Sequence, residues 1–346
     1  MATVRFGLVG YGSWGSHHAQ AIAKTEGAEL MAIAVRSPAS QSAAAAAHLH
    51  CTIFADYREL LLRDDLDIVD VVLPSDLHVE VGKAVLESGK HLLLEKPMAL
   101  TINDCRLLNT LAKSKGKRLA VGFEMRVSQL WGKVKELIAA GAIGEPRYAV
   151  IDLWRRPYRQ GSQGWRYDIQ RVGSWILEEP IHFFDLARWY FAPLGEPVSV
   201  YACASSKRTD HPELHDNFSA VVKFPQGGHA VITQTLAAVG HHQVVKVTGT
   251  KGALWANWSG VMDRDLHPTS SLQHFDGDKV HDIPLAKPTG EVYELAEEIA
   301  TVVRAIRDGG PLAATGVDGI WSVGLCQAAQ ESIEQASVVS LKDFLP

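Results

Sequence analysis

The chain has 346 residues, of which 47% are apolar and 21% charged, and a formal net charge of −5 at pH 7. That length suits about two domains with separate cores, the composition is not that of a disordered chain, and the mild acidity argues against binding to nucleic acid or a membrane surface. No apolar run approaches the roughly 18 residues of a membrane-spanning helix, and four scattered cysteines without a Cys-x-x-Cys pair argue against a thiolate zinc site or a disulfide framework.

Strand-like sequence starts at Val4, which leaves no room for a signal peptide and gives the expectation of a cytoplasmic protein. The strand runs over 4–9 and leads at once into Gly10, Tyr11, Gly12, Ser13, Trp14 and Gly15, followed by a helical stretch to Lys24. Between strand and helix, Gly-x-Gly-x-x-Gly is the fingerprint of a dinucleotide site. Gly10 permits the tight turn, Gly12 lets the backbone approach a pyrophosphate, and Gly15 allows close helix–strand packing. The helix N-terminus presents its unpaired N–H groups to the phosphates, with Ser13 and Trp14 beside them. Trp14 either walls a nicotinamide pocket or packs on the helix.

A second strand over 29–35 ends at Val35, followed by Arg36 and Ser37. An NAD-preferring site wants a carboxylate near this place for the ribose hydroxyls. None is present, and a guanidinium with a hydroxyl suits a 2′-phosphate, so the expected cofactor is NAD(P) with NADP favoured. The alternative is an arginine stacked on adenine that tolerates either form.

Helix over 38–48, strand over 52–54, a short helix from Tyr57, and strand over 68–73 continue the alternation. Pro74, Ser75 and His78 close that strand, and a helix over 79–88 ends at Gly89. The next strand, 91–94, delivers Glu95, Lys96 and Pro97 to the carboxyl edge of the sheet, where ligands bind in open α/β folds. A cis Lys96-Pro97 bond is expected from a functional residue directly before proline. Thr101 is read as the N-cap of a helix to Lys115, and 118–122 as a sixth strand. This rhythm predicts an α/β N-terminal Rossmann domain, a doubly wound parallel sheet over 1–123.

Beyond Phe123 the pattern changes. A helix over 127–140 is followed by strand patterns at 218–224, 229–236 and 244–248, a helix over 181–190 and closing helices at 291–307 and 318–336. The expectation for 124–346 is a C-terminal α+β domain with a large, mostly antiparallel sheet, one face of which serves a homodimer or homotetramer.

The glycine loop with His18, Pro74 to His78, Gly89-Lys90-His91 running into Glu95-Lys96-Pro97, Gly122 to Arg126, Gly141 to Gly144, Trp165-Arg166, Gly173-Ser174, His182 with Asp185, Gly249 to Gly252 and the 319–332 helix together resemble the glucose–fructose oxidoreductase / inositol dehydrogenase / MocA family, in the family's order and over nearly the whole chain. The resemblance implies an NAD(P)-dependent oxidoreductase acting on the carbinol or ketone of a sugar, sugar acid or cyclitol. It places Pro74, Ser75, His78, Glu95 and Lys96 with the cofactor. It implies acid/base roles for Lys96 and His182, with Glu178 as the neighbouring acid. Those residue types fit the chemistry. A histidine near neutrality takes the hydroxyl proton, Lys96 stabilises the charge developing on that oxygen, and a four-residue spacing puts Glu178 on one helix face with His182. The family commonly shows Asp-x-Gly-x-His, whereas this chain reads Glu178, Glu179, Pro180, Ile181, His182. Glu179 is therefore the alternative carboxylate facing the site. No metal is expected, because hydride chemistry needs none and one imidazole is a poor ligand set.

Arg126, Trp154, Arg156, Trp165 and Glu179 join Lys96 and His182 as candidate substrate residues. Aromatic faces with guanidinium forks suit a polyhydroxylated ring, and surplus arginine suits an acidic one; the alternative is a solvated or subunit-facing arginine cluster. His241 and His242 read as loop residues. Two other functions suit the same resemblance: an NAD-assisted glycoside hydrolase, and a non-catalytic protein that senses the cofactor.

Overall fold

The computed structural model describes residues 3–342. The first part alternates β1 (Val4–Val9), α1 (Gly15–Lys24), β2 (Ala28–Ala34), α2 (Pro38–Ala47), β3 (Thr52–Phe54), α3 (Tyr57–Leu61), β4 (Ile68–Val71), α4 (His78–Glu87), β5 (His91–Glu95), α5 (Ile102–Ser114) and β6 (Leu119–Gly122). The strands are mostly apolar because both faces of the sheet are covered, and they pair in parallel in the order β3-β2-β1-β4-β5-β6. Strand order reverses between β1 and β4, the point at which a doubly wound sheet opens a crevice for a ligand. Local chemistry sets the helix starts: Thr101 Oγ1 accepts from Asp104 N–H at 3.1 Å, the cap read from the sequence.

Next come α6 (Trp131–Ala139), β7 (Pro146–Arg155), α7 (Ile169–Val172), α8 (Pro180–Tyr190), β8 (Ser199–Ser205), β9 (Asn217–Lys223), β10 (His229–Thr235), β11 (His241–Gly249), β12 (Ala253–Gly260), β13 (Thr269–Phe275) and β14 (Val280–Asp282). The chain closes with α9 (Glu291–Asp308), α10 (Gly316–Gln335) and β15 (Val339–Ser340). The second sheet has nine strands in the order β14-β13-β12-β11-β7-β10-β9-β8-β15. Neighbours are antiparallel except β7 and β10, which run parallel, so the expected meander is a mixed sheet built around β7. One face buries Ala149, Ile151 and Leu153 with Ala230 and Ile232, and α8 packs on β7 and β10. The opposite face leaves Tyr148, Trp154, Tyr201 and Trp255 exposed.

Two boundaries differ from the sequence expectation. The helix expected from 127 begins at Trp131, because Ser128 Oγ accepts from the Leu130 and Trp131 N–H groups and halts the preceding turn. The split at 123/124 is also incomplete. The chain divides into one compact unit of 1–124 with 292–320 and another of 125–291 with 321–346, the last of the three divisions falling inside α10. The returning helix α9 carries Leu295, Ile299, Val302 and Val303 on one stripe, and these pack in the same core as Phe6, Leu8, Ile22, Ile33 and Leu93.

Candidate active site

In the first unit, the loop after β1 is shaped by the absence of side chains. Gly10 has φ +102°, and a Cβ there would lie 2.1 Å from the Val72 carbonyl oxygen; at Gly15 a Cβ would lie 2.2 Å from the Gly10 oxygen. Both positions require glycine on steric grounds. Gly12 differs, because a Cβ there meets nothing within 4 Å. A cradle closed on the protein side and open outward, at the start of α1, fits a dinucleotide pyrophosphate. Gly12→Ala is expected to fold with a stability change within about 0.5 kcal/mol and to weaken dinucleotide binding about tenfold. Gly10→Ala is expected not to reach the native fold. Thermal melts with fluorescence titration of reduced dinucleotide separate the two; equal losses of stability would refute the assignment of Gly12 to the ligand.

At the end of β2 the Arg36 side chain is exposed. Ser37 is the N-cap of α2, its Oγ accepting from Ser40 N–H at 3.5 Å, while Gln41 Nε2 donates to the Val35 and Arg36 carbonyls. The hydroxyl assigned to a 2′-phosphate therefore also serves a helix.

Trp14 packs on its own helix, its ring centroid 5.7 Å from that of His17 and 5.3 Å from that of His18, and also reaches across the crevice. Its Nε1 donates to Glu95 Oε1 at 2.8 Å, linking the glycine loop to the end of β5. His18, on α1, lies with Nε2 3.1 Å from the same oxygen and Nδ1 2.7 Å from Asp70 Oδ2 on β4. Burial raises the Glu95 carboxyl, but the His18 and Trp14 hydrogen bonds and the His18 and Lys96 charges outweigh it and hold the group down at about 2. Burial likewise opposes a charged His18, and Asp70 and Glu95 overcome it, so the imidazole is raised well above its ordinary range. Lys96 follows, half-buried, with its backbone N–H donated to Glu95 Oε2 at 3.1 Å. The Lys96-Pro97 bond is cis. His78, assigned to the cofactor by resemblance, is fully buried, with Nδ1 2.7 Å from the Pro97 carbonyl oxygen and Nε2 2.9 Å from that of Leu73. It braces the lysine turn from behind. Ser75 is buried at the end of β4 next to Pro74, in the turn that leads into α4.

The second unit places its candidates differently from the sequence reading. Glu178 does not share a helix face with His182, because it precedes α8 with ψ −81° and Pro180 starts the helix two residues later. It pairs with Arg166, whose Nε donates to Oε2 at 3.1 Å. Glu179 turns to the sheet: Oε1 lies 2.6 Å from His241 Nε2 and accepts from Gln243 Nε2 at 2.8 Å, and Oε2 pairs with Arg155. Burial alone would raise this carboxyl; His241 and Arg155 hold it well below the usual carboxylate range. His241 is thus a buried residue of β11, not of a loop. His182 is buried in the first turn of α8.

Arg126 is engaged by Asp185 through two 2.7 Å hydrogen bonds, and Ser322 donates to the same carboxylate at 3.1 Å. That bidentate pair occupies the fork that a substrate would need. Trp165 belongs to a buried cluster with Tyr158, Val172, Trp175, Leu214 and Leu236. Trp154 projects, 55% exposed, from the face of β7 opposite Arg155, and Arg156 is exposed beyond the strand end. The substrate cluster expected from the sequence is therefore dispersed. Asp70 and Gln243 were not among the expected residues. The signal for Asp70 was a lone carboxylate inside the apolar run of β4, Ile-Val-Asp-Val.

Among the described residues no group of three or more His, Cys, Asp or Glu side chains could hold a metal ion, and no helix is long and apolar enough to cross a membrane. The GFO_IDH_MocA family model, described as an oxidoreductase family with an NAD-binding Rossmann fold, matches residues 4–123, and the GFO/IDH/MocA C-terminal domain matches 131–255. The chain is similar to the inositol 2-dehydrogenase of Rhizobium meliloti (strain 1021), 29% identical over 343 residues that cover 98% of this chain and 99% of that protein. It is 30% identical over 261 residues to the Escherichia coli (strain K12) protein called uncharacterized oxidoreductase YdgJ, covering 72% of this chain and 70% of that one. The crystal structure of an aldose-aldose oxidoreductase from Caulobacter crescentus shares the fold, with a TM-score of 0.85 at 21% identity over 98% of this chain and 100% of that one. The parallel sheet, the glycine cradle and these matches together establish that the chain belongs to the Gfo/Idh/MocA family of oxidoreductases with an NAD-binding Rossmann domain.

Proposed function

We propose that this chain is an NAD(P)-dependent oxidoreductase that moves a hydride between the nicotinamide and a carbinol or ketone of a sugar or cyclitol, with Lys96 and His182 in acid/base roles. The observation that carries the reading is the Trp14–Glu95 hydrogen bond, which ties the dinucleotide cradle to the turn bearing Lys96. A bound nicotinamide would supply the hydride acceptor or donor. Gly12 and the N-terminus of α1 would hold the pyrophosphate, and Arg36 would meet the adenosine ribose and favours NADP. Lys96 donates a hydrogen bond to the reacting oxygen and stabilises negative charge there. His182 removes or returns the hydroxyl proton, with Glu178 as its acidic neighbour in sequence.

A neutral polyol is favoured over an acidic one, because two of the arginines read as surplus are compensated: the buried Arg155 by Glu179 and the half-buried Arg166 by Glu178. The name of the Rhizobium meliloti relative points the same way, toward a cyclitol. The exposed aromatic face of the second sheet supports a homodimer or homotetramer, and four cysteines free of disulfides suit the cytoplasm.

The test is absorbance of the reduced nicotinamide with NAD and NADP in turn, against a panel of sugars, sugar acids and inositols. Turnover of a neutral cyclitol or sugar is expected, with Arg36→Ala lowering kcat/KM for NADP about tenfold more than for NAD. Tight cofactor binding without turnover, joined to cleavage of aryl glycosides, would replace this reading with the hydrolase.

A further inference from the structure

The polar groups beneath Glu95-Lys96-Pro97 form a connected set that dinucleotide binding does not by itself call for. His18 is 1% exposed, with a carboxylate oxygen at each ring nitrogen, Asp70 Oδ2 at 2.7 Å and Glu95 Oε1 at 3.1 Å. A neutral imidazole carries one N–H, so one of these contacts would oppose two lone pairs; a ring protonated at both nitrogens donates to both. Trp14 donates to the same Glu95 oxygen, and the other Glu95 oxygen takes the Lys96 backbone N–H. One carboxylate thus receives the glycine loop, helix α1 and the lysine turn.

From this geometry, and resting on the oxidoreductase reading above, we infer that His18 is a positioning residue: as an imidazolium clamped between Asp70 and Glu95, it locks the Glu95 carboxylate and through it holds Lys96 in register with the dinucleotide loop. The charged groups around His18 are Asp70 from β4, Glu95 from β5 and Glu298 from α9, with Lys96 acting in turn on Glu95 and Glu294 on Glu298. Burial and then the Glu95 charge push the Glu298 carboxyl well above the usual range. Among the described residues, Asp70 Oδ1 and Glu298 Oε2 are buried without a hydrogen-bond partner. His18 is the donor that Asp70 and Glu95 share, and a second ring proton lets it serve Asp70 Oδ2 and Glu95 Oε1 at once. A purely structural histidine would affect stability without acting through Glu95.

The experiment is a double-mutant cycle in kcat. His18→Gln keeps an amide able to reach one carboxylate. It is expected to lower kcat about 10- to 100-fold while the KM for the dinucleotide stays within about threefold. Glu95→Gln is expected to give a similar loss, and the double variant to be no worse than either, because both changes break one link. Multiplying losses, or a change confined to KM, would overturn the inference. If His18→Gln does not fold, Trp14→Phe, which removes another donor to Glu95 Oε1, replaces it in the cycle with the same expectation. A second readout needs neither substrate nor cofactor. In protein labelled with nitrogen-15 histidine, one imidazole is expected to carry protons on both nitrogens at about pH 8, well above the ordinary histidine range, and to vanish in His18→Gln. A singly protonated ring at that position would refute the clamp. Failure of the wild-type protein to turn over any carbinol would instead count against the oxidoreductase reading, with the spectrum still deciding the state of His18.

Discussion

Lys96→Met is expected to lower kcat by about 10²- to 10³-fold, the usual loss when one donor to a developing oxyanion is removed. Methionine keeps much of the apolar stem and deletes the ammonium. The turn itself does not depend on that ammonium, because Glu95 holds the Lys96 backbone N–H and His78 reaches the Pro97 carbonyl. A stability change within about 1 kcal/mol is therefore expected. Dinucleotide affinity should stay within about threefold, since the cradle is built by Gly10, Gly12 and Gly15 and not by the lysine. Steady-state rates with the best carbinol, set beside fluorescence titration of reduced dinucleotide, separate the two quantities. An affinity loss as large as the rate loss would make Lys96 a cofactor anchor and remove it from the chemistry.

What could be read in advance was what the chain encodes over short distances. The strand, glycine loop and helix at 4–24, the cap at Thr101 and the strand delivering Glu95 and Lys96 all stand where propensity, capping and periodicity put them. What could not be read was the choice of partner across long loops. Arg126 and Asp185 are 59 residues apart, Glu179 and His241 are 62 apart, and His18 and Glu95 are 77 apart. No local pattern says that a particular guanidinium is engaged by a particular carboxylate. The amphipathic stripe of α9 was visible as a helix, but an apolar stripe does not name the core it enters. Trp154 shows the limit most plainly: beside arginines it reads as a sugar platform, yet strand alternation around Leu153 and Arg155 sends it to the outer face of the sheet. Glu178 failed as a helical neighbour of His182 because Pro180 is suited to the first turn of a helix and so moves the start past it.

The same long-range pairing leads to the largest stability effect expected of any single change discussed. Glu179→Leu is expected to destabilise the protein by about 3–5 kcal/mol, because it leaves the buried Arg155 guanidinium with only the longer 3.6 Å contact to Asp263 Oδ1 as its ion pair. The Arg155 and Glu179 side chains are only 8% and 6% exposed, so water cannot replace the lost partner cheaply. His241 and Gln243 lose an acceptor in the same step. For a unit of this size the change corresponds to a melting temperature lowered by about 6–20 °C. Arg155→Met should cost less, because Glu179 keeps His241 and Gln243 as partners. The pair Arg155→Met with Glu179→Leu should regain part of the loss, since an apolar pair removes both uncompensated charges even though the two histidine and glutamine donors stay orphaned. Denaturant titrations of the four proteins measure this directly. Strict additivity would mean that the two residues do not act as a pair, and that Glu179 depends on His241 and Gln243 rather than on the arginine beside it.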